Sequence, residues 1–367
     1  MNAPRIVQSL GVQAPGQPAL FRLQEPAPSA GELWLETCYT GLSAGTELTF
    51  LKGTNPYLHA RWDQEWGVFR EGEPSAAYPV RVLGYMEVAQ VVESRSPAFG
   101  EGQLVGAAYG HRTGTSVHPQ RQLVVPLPDG LDPLLGIYAA QMGPICANGL
   151  LHAAAESTPG EVTSLGDGVR GRRVLVLGGG VVGLLSGLFA AHHGADVVLA
   201  DPDPMRLAAA RGLGLDVVDD RAAPAWHECK NRWRHGPRDR GADLVLQCRG
   251  QAASLQTALQ ALRPQGSVID LAFYQGGAAE VRLGEEFHHN GLTIRCAQIG
   301  RVPHGQAPAW NRRRLAEETL EVLTAHADRI RHHLITDVVP LADGPNLMTE
   351  LAARRRATIR AVFTTNQ

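Results

Sequence analysis

The segment Arg173-Val-Leu-Val-Leu-Gly178-Gly-Gly180-Val-Val-Gly183 decides the fold of this 367-residue chain. Its first five residues have the pattern of a short buried strand, and a helical apolar pattern begins directly after the glycines. A G-x-G-x-x-G sequence between a strand and a helix is typical of a turn that binds the pyrophosphate of a dinucleotide. We therefore expect cofactor contacts from five residues of this turn: Gly178, Gly180, Val181, Val182 and Gly183.

An acidic residue closes the next apolar strand, as such a nucleotide-binding unit requires. Asp201 follows Asp196–Ala200 at about the expected distance of 20 residues from the glycines. A carboxylate at this position accepts hydrogen bonds from the adenosine ribose and repels a 2′-phosphate, so it favours NAD over NADP. Arg206 begins the following helix; it either lies near the adenine or the phosphates, or is a solvated residue paired with Asp203.

Two other interpretations of the glycine-rich segment remain open. The turn could serve packing alone, or it could belong to a methyltransferase, whose fold also places an acid at the end of that strand. The methyltransferase interpretation leaves the whole preceding part of the chain unexplained. We therefore favour a dehydrogenase.

Strands and helices alternate after about residue 150, which predicts right-handed crossovers and a parallel sheet. Before about residue 130, short alternating stretches such as Gly31–Thr37 and Met86–Glu93 are separated by glycine and proline, which predicts a β domain. The segment Asn55–Ala77 is predicted to be a long loop. Its aromatic residues Trp62, Trp66 and Phe69 predict an ordered lid or wall.

Composition excludes several classes of function. The formal net charge is −2 and aromatic residues make up 6% of the chain, which argues against nucleic acid as a partner. The apolar run near residue 180 is too rich in glycine for a membrane span. The five cysteines are widely spaced and the N-terminus lacks a secretory pattern, so we expect no disulfides and a cytoplasmic location.

Several motifs together resemble the medium-chain dehydrogenase/reductase superfamily, the alcohol dehydrogenase-like proteins. They are Thr40–Glu47, Val82–Val88, a linker helix near Gln141–Ala153, the glycine-rich turn and Leu262–Val268. The resemblance implies an α/β protein with a GroES-like catalytic β domain of residues 1–150 and 301–367. Residues 151–300 would form a Rossmann domain with a doubly wound parallel sheet. The resemblance also implies a homodimer formed by sheet extension at Leu292–Gln298.

The chain departs from the zinc-dependent members of that superfamily at the positions of their metal ligands. Ser43 occupies the place of a cysteine ligand, and Gly84-Tyr85-Met86 replaces the Gly-His-Glu motif. Gln141–Cys146 contains no clear third ligand, and no cysteine occurs between Cys38 and Cys146 to build a structural zinc lobe. Because zinc requires thiolate, imidazole or carboxylate donors, we expect both zinc sites to be missing and no metal to be bound.

Without zinc, a positioned acid/base must handle the proton of the substrate. Tyr85 is the first candidate, provided that its pKa falls, although it could simply fill the space left by the metal. Glu47 could orient Tyr85, bind a substrate hydroxyl or make a structural hydrogen bond to a turn. Thr46 and Ser43 could pass a proton towards the cofactor ribose. His111 titrates in the range suited to a relay, but could equally be a packing residue.

The nicotinamide half of the cofactor is expected to contact two turns that follow strands. These contacts come mainly from Cys248, Arg249, Ala272 and Phe273, and Asn148 of the linker helix is expected in the same cleft. The sequence thus predicts an NAD-dependent, zinc-independent oxidoreductase that interconverts a secondary alcohol and a carbonyl on a polar, polyol-like small molecule or secondary metabolite. The alternatives are a zinc-less C=C reductase of the enoyl or quinone type and a non-catalytic NAD-binding protein.

Overall fold

A computed structural model describes residues 3–365 and divides the chain into two compact units. The first unit extends to Gln141 and resumes at Ile335, and the second is Met142–Leu334. The sequence analysis placed the boundaries after residues 150 and 300. The difference arises because the linker helix, α2 (Met142–Ser157), packs against α3 (Val181–His192) and α8 (Arg312–Ala325) of the second unit.

The second unit is built on a six-stranded sheet in which every neighbouring pair is parallel. This confirms the predicted parallel sheet. Numbered in chain order, its strands are β10 (Arg173–Leu177), β11 (Asp196–Asp201), β12 (Asp216–Asp219), β15 (Ala242–Gln247), β16 (Leu262–Asp270) and β17 (Thr293–Cys296).

The strand order β12-β11-β10-β15-β16-β17 is that of a Rossmann sheet. The order in which the chain adds strands to the sheet reverses between β10 and β15, and in sheets of this kind a crevice opens at the carboxyl ends of the strands at such a point. The remaining helices of this unit are α4 (Pro204–Gly212), α5 (Ala225–Arg232), α6 (Ala252–Ala261), α7 (His288–Asn290) and α9 (Ala327–Leu334).

Some elements of the second unit carry no clear sequence signal. Strand β12 is an edge strand of four residues that begins and ends with aspartate. Helix α5 is mostly polar and buries only Ala225 and Cys229 along its length. A small hairpin of β13 (Arg234–Gly236) and β14 (Asp239–Arg240) follows it. Short, polar elements lack the apolar period on which sequence-based prediction depends.

The first unit is a mixed β structure, as the sequence predicts for the N-terminal part. Its main sheet has the order β18-β19-β3-β6-β7-β9, with β8 also paired to β3. The strands are β3 (Leu33–Gly41), β6 (Glu87–Ser94), β7 (Leu104–Ala107), β8 (Gly114–Val117), β9 (Val125–Pro126), β18 (Ile335–Pro340) and β19 (Arg360–Thr364). The first two strands, β1 (Arg5–Ala14) and β2 (Gln17–Glu25), form a separate hairpin.

Two helices complete this unit, α1 (Ala44–Lys52) and α10 (Gly344–Ala352). Helix α1 follows β3 and carries the motif residues Thr46 and Glu47. Strand β19 lies between β18 and β3, and its Val362 pairs with Gly41 at the end of β3. The loop predicted over Asn55–Ala77 contains a helical turn and a hairpin of β4 (Arg61–Asp63) and β5 (Val68–Arg70).

Two general observations concern the described part of the chain. No helix within residues 3–365 is long and apolar enough to cross a membrane. No disulfide joins any of the cysteines at positions 38, 146, 229, 248 and 296, all of which lie in this range.

Candidate active site

The glycine-rich turn of the second unit has the backbone that the motif predicts. Strand β10 ends at Leu177, and Gly178 then adopts φ +101°, a conformation that favours glycine. Gly180 caps the N-terminus of α3. A Cβ on Gly183 would collide with the carbonyl oxygen of Gly178, so close packing of helix on turn requires glycine there. Unpaired N–H groups at the start of α3, beginning with Val181 and Val182, suit an anion.

Asp201 binds this turn to the end of the neighbouring strand. Its side chain is buried, and its Oδ2 accepts a hydrogen bond of 2.7 Å from the Gly179 N–H. Its Oδ1 accepts a hydrogen bond of 2.8 Å from the Asp203 N–H. The Arg206 guanidinium lies 3.4 Å from Asp201 Oδ2 and 3.8 Å from Asp203 Oδ2. Asp201 therefore positions the turn itself, and Arg206 is paired with both acids while remaining partly exposed.

The two turns predicted to contact the nicotinamide half lie against each other. Cys248 donates its N–H to the Leu177 carbonyl over 2.9 Å, which places the end of β15 beside the glycine-rich turn. A Cβ on Gly178 would lie 2.9 Å from the Cβ of Arg249, and a Cβ on Gly250 would collide with the Phe273 carbonyl. The structure thus brings together four predicted residues, Gly178, Cys248, Arg249 and Phe273, at the carboxyl ends of the central strands.

Ala272 and Asn148 make more local contacts. Ala272 donates its N–H to Asp270 Oδ1 over 2.9 Å, which shapes the turn after β16. Asn148 is buried in α2, and its amide nitrogen lies 3.3 Å from the Gln298 carbonyl oxygen and 3.2 Å from that of Arg301. The Asn148 side chain therefore holds the turn after β17.

In the first unit, three predicted hydroxyl side chains form one cluster. The Tyr85 hydroxyl donates a hydrogen bond of 2.5 Å to Ser43 Oγ and lies 3.4 Å from Thr46 Oγ1. Ser43 is the residue before α1, and Thr46 lies in its first turn. The start of one helix thus brings the two small hydroxyls to the phenol.

The Tyr85 pKa is raised above its ordinary value of 10.0. Burial is the main cause, and the negative charge of Glu47 adds to it. Hydrogen bonds with Ser43 and Thr46 and the positive charge of Arg360 act in the opposite direction without outweighing burial. The fall in pKa that the sequence analysis required of Tyr85 is therefore not present in this structure, and the phenol keeps its proton at neutral pH.

A buried charge network supports the hydroxyl cluster. His111 Nε2 lies 2.6 Å from Glu47 Oε2, and both side chains are almost completely buried. The other carboxylate oxygen, Glu47 Oε1, accepts a hydrogen bond of 2.7 Å from the Ser43 N–H. Glu47 therefore positions Ser43 and the imidazole, and its hydrogen bonds do not include the Tyr85 hydroxyl among the contacts described for residues 3–365.

Glu87 holds the opposite side of the imidazole through a threonine. Thr40 Oγ1 lies 2.6 Å from His111 Nδ1 and donates to Glu87 Oε1 over 2.8 Å. Glu87 Oε2 also accepts the N–H groups of Tyr109 and Gly110 over 2.8 and 3.1 Å. The sequence analysis did not select Glu87, although an acid followed by Val-Ala in a buried strand pattern is a signal for a buried charge.

The hydrogen bonds indicate the charge of His111. Because Thr40 gives its single hydroxyl proton to Glu87, it must accept from His111 Nδ1–H. Nε2 lies 2.6 Å from Glu47 Oε2, and a proton on Nε2 donated to that oxygen makes His111 an imidazolium. Burial by itself lowers the His111 pKa, but Glu47 and Glu87 outweigh it, so the pKa is raised above its ordinary value of 6.5. The Glu87 pKa is also raised, chiefly by burial and against the effect of His111.

Gly84 of the second motif and Arg360, which lies outside the motifs, complete this network. Gly84, with φ +95°, lies against His111, because a Cβ there would be 2.7 Å from the imidazole Cε1. The residue before Tyr85 must therefore be glycine for the imidazole to fit. Arg360 of β19 is buried, and its guanidinium donates to the carbonyl of Leu42, next to Ser43. Sequence reasoning missed Arg360 because it enters the site from the far end of the chain.

The donors gathered around Tyr85 do not fit a zinc ion. Ser43, Thr46 and Tyr85 provide neutral hydroxyls, whereas zinc sites use thiolate, imidazole or carboxylate. The imidazole and carboxylates nearby are engaged with one another, as described above. Cys146, near the expected third position, lies 3.6 Å through its Sγ from the Val182 carbonyl oxygen in the second unit. No group of three potential metal-binding side chains occurs between residues 3 and 365.

Comparisons with known proteins agree with this fold. The zinc-binding dehydrogenase family matches residues 181–311. D-guloside 3-dehydrogenase of Shigella flexneri is 25% identical over 348 residues, covering 92% of this chain and 94% of that protein.

Solved structures agree over the whole length. A dehydrogenase of Sinorhizobium meliloti 1021 bound to NADP has a TM-score of 0.73 at 18% identity, with 98% of this chain and 99% of that one covered. Galactitol-1-phosphate dehydrogenase of Escherichia coli has a TM-score of 0.73 at 15% identity, with 97% and 99% covered. These likenesses confirm the α/β fold with a GroES-like domain and a Rossmann domain. Together with the sequence relatives, they support the zinc-binding, alcohol dehydrogenase-like family and an oxidoreductase.

We expect His111→Gln to destabilise the protein by about 3–5 kcal/mol, because it leaves buried carboxylates without their cation. Since the pKa of His111 is raised on folding, its contribution to stability is complete below pH 6.5 and is lost as pH rises through the folded value. Urea unfolding between pH 6 and pH 9 should therefore show the largest effect of the substitution at the acid end.

His304→Gln, at an exposed histidine of the second unit, is the matched control and should leave unfolding unchanged. A His111→Gln protein as stable as the wild type at pH 6 would contradict the buried imidazolium.

Gly180→Ala tests the glycine-rich turn as a phosphate site. The structure has open space around this position, so an alanine should fold without loss of stability. Its methyl group should nevertheless obstruct the close approach of a pyrophosphate and weaken NADH binding by about tenfold or more. Gly100→Ala, at another glycine with open space, is the control for titrations that follow NADH fluorescence. Equal affinity of the Gly180→Ala and Gly100→Ala proteins would argue for a packing turn.

Proposed function

We propose that the protein is an NAD-dependent, zinc-independent oxidoreductase that interconverts a secondary alcohol and a carbonyl on a polar small molecule of the polyol or glycoside class. The observation that carries this proposal is the Tyr85–Ser43–Thr46 hydroxyl cluster supported by the buried Glu47–His111–Glu87 network. By the resemblance, Ser43 and Tyr85 stand where the zinc-dependent members supply metal ligands. They also suit a hydroxylated substrate, in agreement with relatives named for gulosides and sorbitol.

The chemistry divides between the two parts of the protein. The residues that follow β10, β11, β15 and β16 would hold NAD, which when bound would supply the acceptor for the hydride, the hydrogen of the carbinol C–H bond together with its electron pair. The hydroxyl proton of the alcohol must leave as well, and Tyr85 accepts it when the phenol is ionised. In the opposite direction, the neutral phenol donates its proton to the carbonyl oxygen.

Ser43 and Thr46 can hydrogen-bond to both the neutral phenol and the phenolate form of Tyr85. The Ser43 hydroxyl accepts from the neutral phenol in the present structure, and both hydroxyls can rotate to donate to a phenolate. We assign Glu47, His111 and Glu87 as positioning residues. The route from His111 to Tyr85 runs through the backbone N–H of Ser43, which does not exchange a proton during catalysis.

Asp201 supports NAD as the cofactor. Its carboxylate is held in the turn by two backbone N–H groups and carries its charge next to the position expected for the adenosine ribose. Arg206 reduces the negative potential but is shared with Asp203. The 2′-phosphate of NADP would therefore lie near the carboxylates of Asp201 and Asp203, with only the partly exposed Arg206 guanidinium to balance its charge.

Tyr85→Phe should reduce kcat/KM for alcohol oxidation by about 10²–10⁴-fold, the usual contribution of a general acid/base. Because burial raises the Tyr85 pKa above 10.0, oxidation by the wild type should accelerate about tenfold per pH unit up to that pH. The variant should lose this dependence. The assay follows NADH absorbance with sorbitol and methyl glycosides as substrates.

NADH affinity of Tyr85→Phe provides the control, since the phenol is not part of the glycine-rich turn. Activity should also survive dialysis against a chelator, with zinc measured by elemental analysis. If the purified protein contains stoichiometric zinc and loses its activity when the chelator removes that zinc, the zinc-independent assignment is overturned. NADH binding without turnover of any substrate would instead favour a non-catalytic NAD-binding protein.

The cofactor assignment predicts that the wild type binds NADH more tightly than NADPH. Asp201→Asn removes the negative charge of the side chain and keeps an oxygen that can accept from one backbone N–H. It should therefore reduce the difference between the affinities for NADH and NADPH. Fluorescence titrations with both cofactors measure this directly. Tighter binding of NADPH by the wild type would disprove the role of Asp201 and favour a C=C reductase of the enoyl or quinone type.

A further inference from the structure

The hairpin within residues 55–77 exposes an unusual amount of aromatic surface. Strands β4 and β5 pair with each other, and Trp62 faces Phe69 across the pair. The exposed fractions are 70% for Trp66, 48% for Phe69, 41% for Tyr57 and 39% for Trp62. Large apolar groups concentrated in this way on a surface are commonly a binding site.

The rings form a defined surface. The centroids of Trp62 and Phe69 are 5.0 Å apart in an edge-to-face arrangement, and those of Tyr57 and Phe69 are 5.7 Å apart. The Arg70 guanidinium pairs with Asp63 at 3.2 Å and lies 5.5 Å from the Trp66 ring. Tyr57, Trp62, Trp66 and Phe69 are called the aromatic hairpin below. Its rings offer apolar faces, and the charged side chains at its edge can bind hydroxyl groups.

Hydrogen bonds connect the aromatic hairpin to the hydroxyl cluster. The Tyr57 N–H donates to Asn55 Oδ1 over 3.0 Å, and Asn55 Nδ2 donates to Thr49 Oγ1 over 2.7 Å. Thr49 Oγ1 in turn donates to the Thr46 carbonyl over 2.5 Å. Three hydrogen bonds thus link the Tyr57 backbone to Thr46, and a fourth contact of 3.4 Å joins Thr46 Oγ1 to the Tyr85 hydroxyl.

Distance and area together define what could occupy this surface. Helix α1, which leads from Ser43 towards the hairpin, is roughly 13 Å long, a span within the reach of a two-ring molecule. The four rings expose roughly 400 Å², about half of what each partner contributes to a stable protein interface. A small ligand fits this area better than a second protein.

We propose that the aromatic hairpin binds a second ring of the substrate, attached to the sugar whose hydroxyl is oxidised at Tyr85. The substrate class is then a glycoside with a ring-bearing substituent rather than a free polyol, an assignment that rests on the proposed function. The C–H groups on the flat face of a pyranose, or the face and edge of an aryl group, complement the electron-rich faces of the hairpin rings. Asp63 and Arg70 are available to hydroxyls at its rim.

The test compares glycosides that share one sugar and differ in the second ring. Methyl D-guloside has none, phenyl D-guloside carries an aryl ring, and a disaccharide ending in gulose carries a second pyranose. For the wild type, we expect KM for at least one ring-bearing glycoside to be about tenfold below that for the methyl glycoside. Phe69→Ala and Trp62→Ala should reduce this KM ratio to near one. The ring-bearing glycoside with the lower KM shows whether the second ring of the substrate is an aryl group or a pyranose.

Two further variants separate a binding role from a structural one. Trp62→Phe retains an aromatic face and should preserve most of the KM ratio. Val92→Ala removes an exposed apolar side chain from β6 of the same unit and should leave the ratio as in the wild type. Equal KM values for all three glycosides with the wild-type enzyme would overturn the hairpin proposal while leaving the proposed function intact.

The remaining outcomes are also distinct. If no glycoside or polyol reduces NAD, the proposed function fails. Calorimetry with phenyl D-guloside then tests the hairpin alone, and equal affinity of the wild type and Phe69→Ala would overturn it. Hairpin variants that change the sedimentation coefficient without changing the KM ratio would identify the surface as a protein interface, which also contradicts the proposal.

Discussion

The buried imidazolium of His111, held between Glu47 and Glu87, is the interaction on which the candidate site depends. It joins three separate parts of the first unit: β3 through Thr40, the first turn of α1 through Glu47 and the start of β6 through Glu87. Buried charges are stable only when each is paired and hydrogen-bonded. Any movement of α1 relative to β6 would break such a pairing. The network therefore holds Ser43 and Thr46 at fixed positions around the Tyr85 hydroxyl.

The two parts of the protein use different physical means to build a site. At the glycine-rich turn, backbone N–H groups and the absence of side chains create space and a partial positive charge for phosphate. Around Tyr85, side chains provide all of the chemistry, and their protonation depends on their neighbours. The raised Tyr85 pKa is an example, because burial favours the neutral phenol and outweighs the hydrogen bonds with Ser43 and Thr46, which favour the phenolate.

In the proposed function, an acid/base takes the place of a metal ion. A zinc ion polarises the substrate oxygen by its charge and needs charged or imidazole ligands. Here the corresponding positions hold hydroxyls, and the charged groups lie one layer deeper, where they balance each other. Burial raises the Tyr85 pKa, so the neutral phenol that carbonyl reduction requires predominates and the phenolate that alcohol oxidation requires is scarce at neutral pH. This asymmetry is the reason why oxidation by the proposed mechanism depends on alkaline pH.

The sequence by itself determined the features that depend on local backbone conformation and short periods. The turn from Gly178 to Gly183 and the position of Asp201 follow from apolar runs and glycines within about 30 consecutive residues, and the parallel sheet follows from the alternation of strands and helices after about residue 150. The hydroxyl cluster could also be anticipated, because its residues occur in two short motifs. Only the tertiary structure brought Glu47 to His111, Glu87 to Thr40 and Arg360 to Leu42, since these contacts join distant segments. No local pattern encodes such pairings; they exist because packing of β3, β6, α1 and β19 excludes water, so the buried charged groups must be paired with groups of the protein.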